Sequence, residues 1–99
     1  MTTENKTTMR YKCFYMWFTK HFFEHNKTEI ANKIGVTKQV ISLWAKGRQK
    51  PSLESLHNLC FESGVFADKE DAQRAFDDAV KAYINDIKLA KHKLTGDIS

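Results

Sequence analysis

The sequence predicts an all-α fold, a compact bundle of four to five helices with a long C-terminal helix. Three observations carry this. Apolar residues recur at three- and four-residue spacing along the chain, capping residues stand just before the periodic runs, and the single proline, Pro51, falls between two of them. Ninety-nine residues make one domain with a modest core. With 41% hydrophobic and 28% charged residues and no internal repeat, the composition is that of an ordinary globular chain.

Taken in order, residues 1–10 (MTTENKTTMR) offer little to bury and are expected to form a flexible arm. From Tyr11 to about Glu24, seven of the chain's twelve aromatics fall within thirteen residues. Tyr11, Phe14 or Tyr15, Phe18 and Phe22 make one helical stripe that can close a core. Met16 and Phe23 fall off that stripe and require a second cover, either the C-terminal helix or another subunit. Aromatics interleaved with lysine can also stack single-stranded bases, but helical spacing favours the core reading.

Residues 26–50, NKTEIANKIGVTKQVISLWAKGRQK, read as two short helices around a tight turn. Asn26 stands three residues before Glu29 and caps a helix from Lys27 to Ile34. Gly35 stops it, Thr37 caps a second helix running to about Lys46, and Gly47 ends that one. On a wheel of about 100° per residue, Val40, Ile41 and Trp44 share one arc of the second helix. The complementary arc carries Lys38, Gln39, Ser42, Leu43 and Lys46. Ile30, Ala31 and Ile34 supply the matching apolar face of the first helix.

Pro51 favours an extended residue before it, and Ser52 caps a fourth helix, SLESLHNLCFES, with Leu53, Leu56 and Leu59 or Cys60 on its core face. The longest helix runs from Asp68 to about Leu94, opened by Asp68, Glu70 and Asp71 and closed by Lys88, Lys91, His92 and Lys93, which complements its dipole at both ends. Phe76, Val80, Tyr83, Ile87, Ala90 and Leu94 follow at spacings of 4, 3, 4, 3 and 4, a coiled-coil type of seam. We read this seam as a dimer interface, with packing across the aromatic helix of the same chain as the alternative. The chain thus divides into an arm (1–10), a helix-turn-helix domain (11–66), a C-terminal amphipathic helix (67–94) and a tail (95–99).

The net charge of +4 is unevenly placed. Residues 20–51 carry seven basic side chains against Glu24 and Glu29, and residues 52–81 carry three basic against seven acidic ones. Positive charge therefore gathers around the paired short helices, the footprint of a phosphate-backbone ligand. An α-helix fits the major groove of B-form DNA, where lysine can bond guanine and glutamine can bond adenine. Lys38 and Gln39 lie in the first turn, where such helices touch bases. A merely solvated face is the plainer reading of the same arc.

These residues also carry a resemblance. Glu29, Ala31, Gly35, Thr37, Gln39, Ile41, Ser42, Trp44 and Gly47, followed by Pro51–Cys60, resemble the lambda-type repressor and Cro family of helix-turn-helix regulators over about residues 21–66. The resemblance implies a lambda-repressor-like bundle that binds operator DNA, usually as a dimer. Departures bear on the operator sequence: Lys27 stands where glutamine is common, Ala45 and Lys46 replace a frequent Glu-Asn pair, and Leu43 takes the place of a polar base reader.

The expected function is a sequence-specific regulator of transcription, a phage or mobile-element repressor acting as a homodimer on a palindromic double-stranded DNA operator. Thr37, Lys38, Gln39, Ser42 and Leu43 are the expected base readers, with Lys27, Lys46, Arg48 and Lys50 on phosphates. The alternative is an antitoxin-like module whose aromatic and C-terminal helices grip a protein partner while the helix-turn-helix regulates its own operon. Cys13 and Cys60 form no C-x-x-C pair and are expected as packed, reduced thiols. His21-Phe22-Phe23-Glu24-His25 spells the H-x-x-E-H zinc signature, yet such an enzyme needs a distant third ligand and a substrate cleft, and this segment instead abuts the Asn26 cap. No glycine loop, Ser-His-Asp set or cofactor motif is present, so neither enzyme, metal nor cofactor is expected. No apolar run reaches the ~20 residues of a membrane span and no secretory signal opens the chain, so a cytoplasmic location is expected.

Overall fold

The computed structural model describes the backbone of residues 10–96 and the side chains of residues 10–90. Within them the chain forms five helices: α1 (Lys12–Phe22), α2 (Lys27–Ile34), α3 (Lys38–Ala45), α4 (Leu53–Phe61) and α5 (Lys69–Gly96). Three of the five begin where the sequence places a cap, and a fourth, α5, begins just after Asp68, which the sequence reads as opening that helix. The side chains of Asn26, Thr37, Ser52 and Asp68 accept from the backbone N–H groups of Glu29, Val40, Ser55 and Asp71 at 3.1, 3.2, 3.2 and 2.9 Å. Each bond satisfies one of the free donors at a helix start, a contribution of about 1 kcal/mol.

The fifth start, that of α1, has Tyr11 before it and no local side-chain cap. Its donors are satisfied from the other end of the chain. The carboxylate of Asp86, buried on α5, accepts from Cys13 N at 2.8 Å through Oδ1 and from Phe14 N at 3.0 Å through Oδ2. Burial and the hydrogen bond to that carboxylate together push the Cys13 thiol above its ordinary range.

All five helices contribute to one core. Phe14, Trp17, Phe18 and Phe22 come from α1, Ile30 and Ala31 from α2, and Ile41 and Trp44 from α3. Leu56, Leu59 and Cys60 come from α4, and Ala72, Ala75, Ala79, Ala82 and Tyr83 from α5. The α1 stripe is rotated from the expected one: Trp17 is buried, whereas Tyr11 and Tyr15 are only partly so. Trp17 earns that place through its Nε1–H, which donates to Ala75 O at 3.0 Å, so its polar edge enters the core satisfied. Burial pushes the Cys60 thiol up to about 12, which keeps it protonated. Leu53, expected on the core face of α4, is exposed instead. As the first residue of α4, it precedes the turn that meets the core.

α5 departs furthest from expectation. Its buried residues are Tyr83, Asp86 and four alanines, and at Ala75 its backbone comes within hydrogen-bond reach of a side chain of α1. The core therefore does not close before residue 67, and the helix-turn-helix unit and the C-terminal helix share it. The seam of Phe76, Val80, Tyr83, Ile87, Ala90 and Leu94 is divided by this arrangement. Tyr83 is buried, its hydroxyl donating to Pro51 O, and Phe76 and Val80 pack half-buried against the core. Phe76 meets His57 and Phe61 of α4, and Tyr83 meets Phe14 of α1 and Pro51, so this part of the seam is covered within the chain, which corrects the reading of it as a free dimer seam. Ile87 and Ala90 remain exposed, and the side chain of Leu94 lies outside the described residues. Ile84, absent from the expected seam, is 47% exposed beside Ile87 at 50%.

Removing Asp86 strands two donors in a buried helix end. Asp86→Ala is expected to cost about 2 to 4 kcal/mol, the range for two bonds to a charged acceptor less what water recovers. Asp86→Asn, which keeps one acceptor oxygen, should fall between. Urea unfolding of the three proteins measures this, and equal midpoints would show that the long-range cap contributes nothing.

Candidate nucleic-acid interface

The two short helices are held apart by three residues. Gly35 takes a left-handed conformation (φ 77°, ψ 32°), and the N–H groups of Gly35 and Val36 both end on Ala31 O, at 2.9 and 3.0 Å. A side chain at this φ would be strained, so the glycine sets the turn. Val36 then leads into Thr37, whose extended backbone and capping Oγ1 start α3 in its new direction.

α3 is fixed from below. Ile41 is fully buried and Trp44 nearly so, with Val40 packed against them. Ile30 and Ala31 of α2 face the same core, and Ala31 is small enough to let the helices meet. The opposite face carries the expected base readers. Thr37, Lys38 and Gln39 are exposed, and Ser42 and Leu43 are half-exposed one turn further on. Thr37 Oγ1 already accepts from Val40 N to cap α3, which leaves its methyl, its hydroxyl proton and one lone pair for a ligand.

At the far end of α3 the chain turns through Gly47 (φ 72°). This conformation directs Gly47 O toward the start of α1, where it accepts from Arg10 N at 2.8 Å and Tyr11 N at 2.9 Å. Arg10, Lys46 and Arg48, all exposed, are thereby collected around one carbonyl. The sequence alone places Arg10 in the N-terminal arm. Nothing local in the sequence links it to Gly47, 37 positions away, so only the fold reveals it.

The four expected phosphate contacts are placed differently from one another. Lys27 is exposed at the start of α2, and Lys46 and Arg48 are exposed past the end of α3. Lys50 turns inward: its Nζ lies 5.1 Å from the ring centroid of Tyr11 and 5.3 Å from that of Tyr83. Two electron-rich ring faces hold the ammonium there, so Lys50 does not extend outward as expected. Among the described residues the one ion pair is Arg74–Asp71 on α5, at 3.5 Å, so no carboxylate neutralises the cations of α2 and α3 at that range.

The H-x-x-E-H signature loses its helical register. α1 ends at Phe22, and His25 lies in the turn beyond, its N–H bonded to Phe22 O at 3.1 Å. His21 is instead packed between Trp17 and Phe66, each 5.3 Å away by ring centroid. Burial holds its imidazole below the ordinary range, assisted by Lys20 and opposed by Asp78. Among the described residues no three His, Cys, Asp or Glu side chains gather as a metal site, and no helix is long and apolar enough to cross a membrane.

Compared with family models, curated proteins and solved structures, the chain matches none. The geometry above therefore stands on its own.

The inward placement of Lys50 has a measurable consequence. Lys50→Ala should lower stability by about 1 kcal/mol through the lost ring contacts and stem packing, whereas Arg48→Ala, at an exposed position, should leave it within about 0.5 kcal/mol. Thermal unfolding distinguishes the two, and equal small effects would show that the ring contacts are not maintained in solution.

Proposed function

We propose that this chain is a sequence-specific double-stranded DNA-binding regulator of transcription, of the phage or mobile-element repressor kind, acting as a homodimer on a palindromic operator. The observation that carries the reading is the two-sidedness of α3: Ile41 and Trp44 lock one face into the core while Lys38 and Gln39 stand free in its first turn. Rigid anchoring and a polar exposed end are what major-groove reading requires. The unpaired cations Lys27, Lys46 and Arg48, joined by Arg10, flank that helix and supply backbone attraction. The resemblance of residues 21–66 to lambda-type repressors supports the same reading.

In this proposal Gln39 and Lys38 read adenine and guanine edges, Ser42 and Leu43 reach the next bases, and the Thr37 methyl meets thymine. Backbone contacts position the protein without specifying sequence. Selection of bound fragments from random DNA gives the operator and tests the proposal as a whole, and recovery of no enriched sequence would refute it. Gln39→Ala should then relax preference at one operator position by about 1 to 3 kcal/mol and leave the salt dependence intact. Arg48→Ala should weaken binding to every sequence and reduce the slope of log K against log salt by about 0.9. Indistinguishable behaviour of the two variants would show that α3 does not read bases.

The dimer face that fits the structure is the exposed edge of α5 at Ile84 and Ile87, not the covered Tyr83. A two-fold axis there would serve half-sites about 34 to 36 Å apart. Ile84→Glu with Ile87→Glu touches no core residue and is expected to halve the mass measured by light scattering and to abolish tight operator binding. A folded double variant of unchanged mass would move the interface elsewhere.

A further inference from the structure

A second surface lies away from the paired short helices. Between α1 and α5 runs a groove floored by Trp17 and Ala82, with Cys13 half-exposed along it. Met16 stands 58% exposed on one wall and Leu89 53% exposed at one end. Every lining residue comes from α1 or α5. Two large apolar side chains, Met16 and Leu89, thus stand open along one groove whose floor is also apolar.

Its rim is charged with one sign in excess. Lys20, Lys81 and Lys88 border the groove, all exposed, against Asp78 alone. Lys81 and Lys88 are two turns apart on one side of α5, and Lys20 lies across from them on α1. From Asp78 to Leu89 the groove follows α5 for about 16 Å, three turns of a helix. Exposed methionine suits such a surface because its flexible thioether adapts to the packed partner.

We infer that this groove receives an amphipathic helix of a partner protein, with apolar residues seated between Met16 and Leu89 and acidic residues facing Lys20, Lys81 and Lys88. Its contacts are those of helix-in-groove recognition. Asp78 sets the partner's register, since a carboxylate there repels an acidic residue at that end. The indole of Trp17 is buried with its N–H already committed to Ala75 O, which leaves no open ring face for stacking nucleic-acid bases. This site is independent of the DNA reading, because none of its residues belongs to α2 or α3.

The test uses the full chain and two synthetic amphipathic helices of about five turns. Both carry leucine at three- and four-residue spacing. One flanks that stripe with glutamate, the other with lysine. The acidic peptide should bind the protein about tenfold or more tightly than its basic twin, with amide and Trp17 indole shifts in nuclear magnetic resonance confined to α1 and α5. Lys20→Glu, Lys81→Glu and Lys88→Glu together change only exposed positions and should reverse the preference, while Gln39→Ala should leave it unchanged. Met16→Glu should weaken the acidic peptide without changing the protein's own mass. Failure of the acidic peptide to bind, equal binding of both peptides, or a preference that survives the lysine reversal would overturn the inference. A fall in mass on Met16→Glu would also overturn it, by showing that a second copy occupies the groove.

Discussion

The close approach of α5 to α1 is the contact on which the other features depend. Alanines at 72, 75, 79 and 82 remove the side chains that would hold the two helices apart. Across this contact the Trp17 indole bonds a helix carbonyl and Asp86 bonds the first turn of α1. Both polar contacts are buried, and each would be costly if left half-made. No buried side-chain polar atom among the described residues lacks a partner, so the contact is a complete one.

The consequence reaches α3 through the backbone. α1 begins between two acceptors: Gly47 O takes the N–H groups of Arg10 and Tyr11, and Asp86 takes those of Cys13 and Phe14. The end of α3 is thus tied to the start of α1, which is tied in turn to α5. Lys50 reinforces the junction by lying over Tyr11 and Tyr83, and Tyr83 bonds Pro51 O. A carboxylate on α5 is therefore linked, through the start of α1, to the end of α3. On the proposed function, rigidity there limits the entropy lost on binding DNA.

Local chemistry was the legible part of the fold. Asn26, Thr37 and Ser52 cap as the sequence implies, because a capping bond spans three residues and needs no tertiary context. The inward arc of α3 was equally plain, since Ile41 and Trp44 recur at helical spacing beside Val40. What the sequence hid were choices between faces that are all apolar or all small. In α1 nearly every position can be buried, so periodicity could not single out Trp17, whose place depends on a carbonyl 58 positions away. In α5 the hydrophobic pattern favoured Phe76, Val80, Tyr83 and Ile87, whereas the core took Tyr83 alone of these and four alanines, which score weakly on any hydrophobic scale but permit close contact. Asp86 reads as an ordinary exposed carboxylate until α1 is placed against it. Lys50 likewise reads as a free cation until Tyr11 and Tyr83 are brought beneath it.

The rotation of α5 onto its alanines also decides what remains outside. A helix that buried its largest side chains would leave alanines outward and present little for a partner to hold. Here the small residues are spent on the core, so Ile84, Ile87 and Leu89 are left at the surface, on two different sides of one helix. Ile84 and Ile87 belong to the edge that continues from Phe76 and Val80 beside α4. Leu89 belongs to the groove shared with Cys13 on α1. The same small-residue packing that fixes Asp86 and Trp17 therefore creates two separate apolar surfaces, and a ligand on one does not have to displace a ligand on the other.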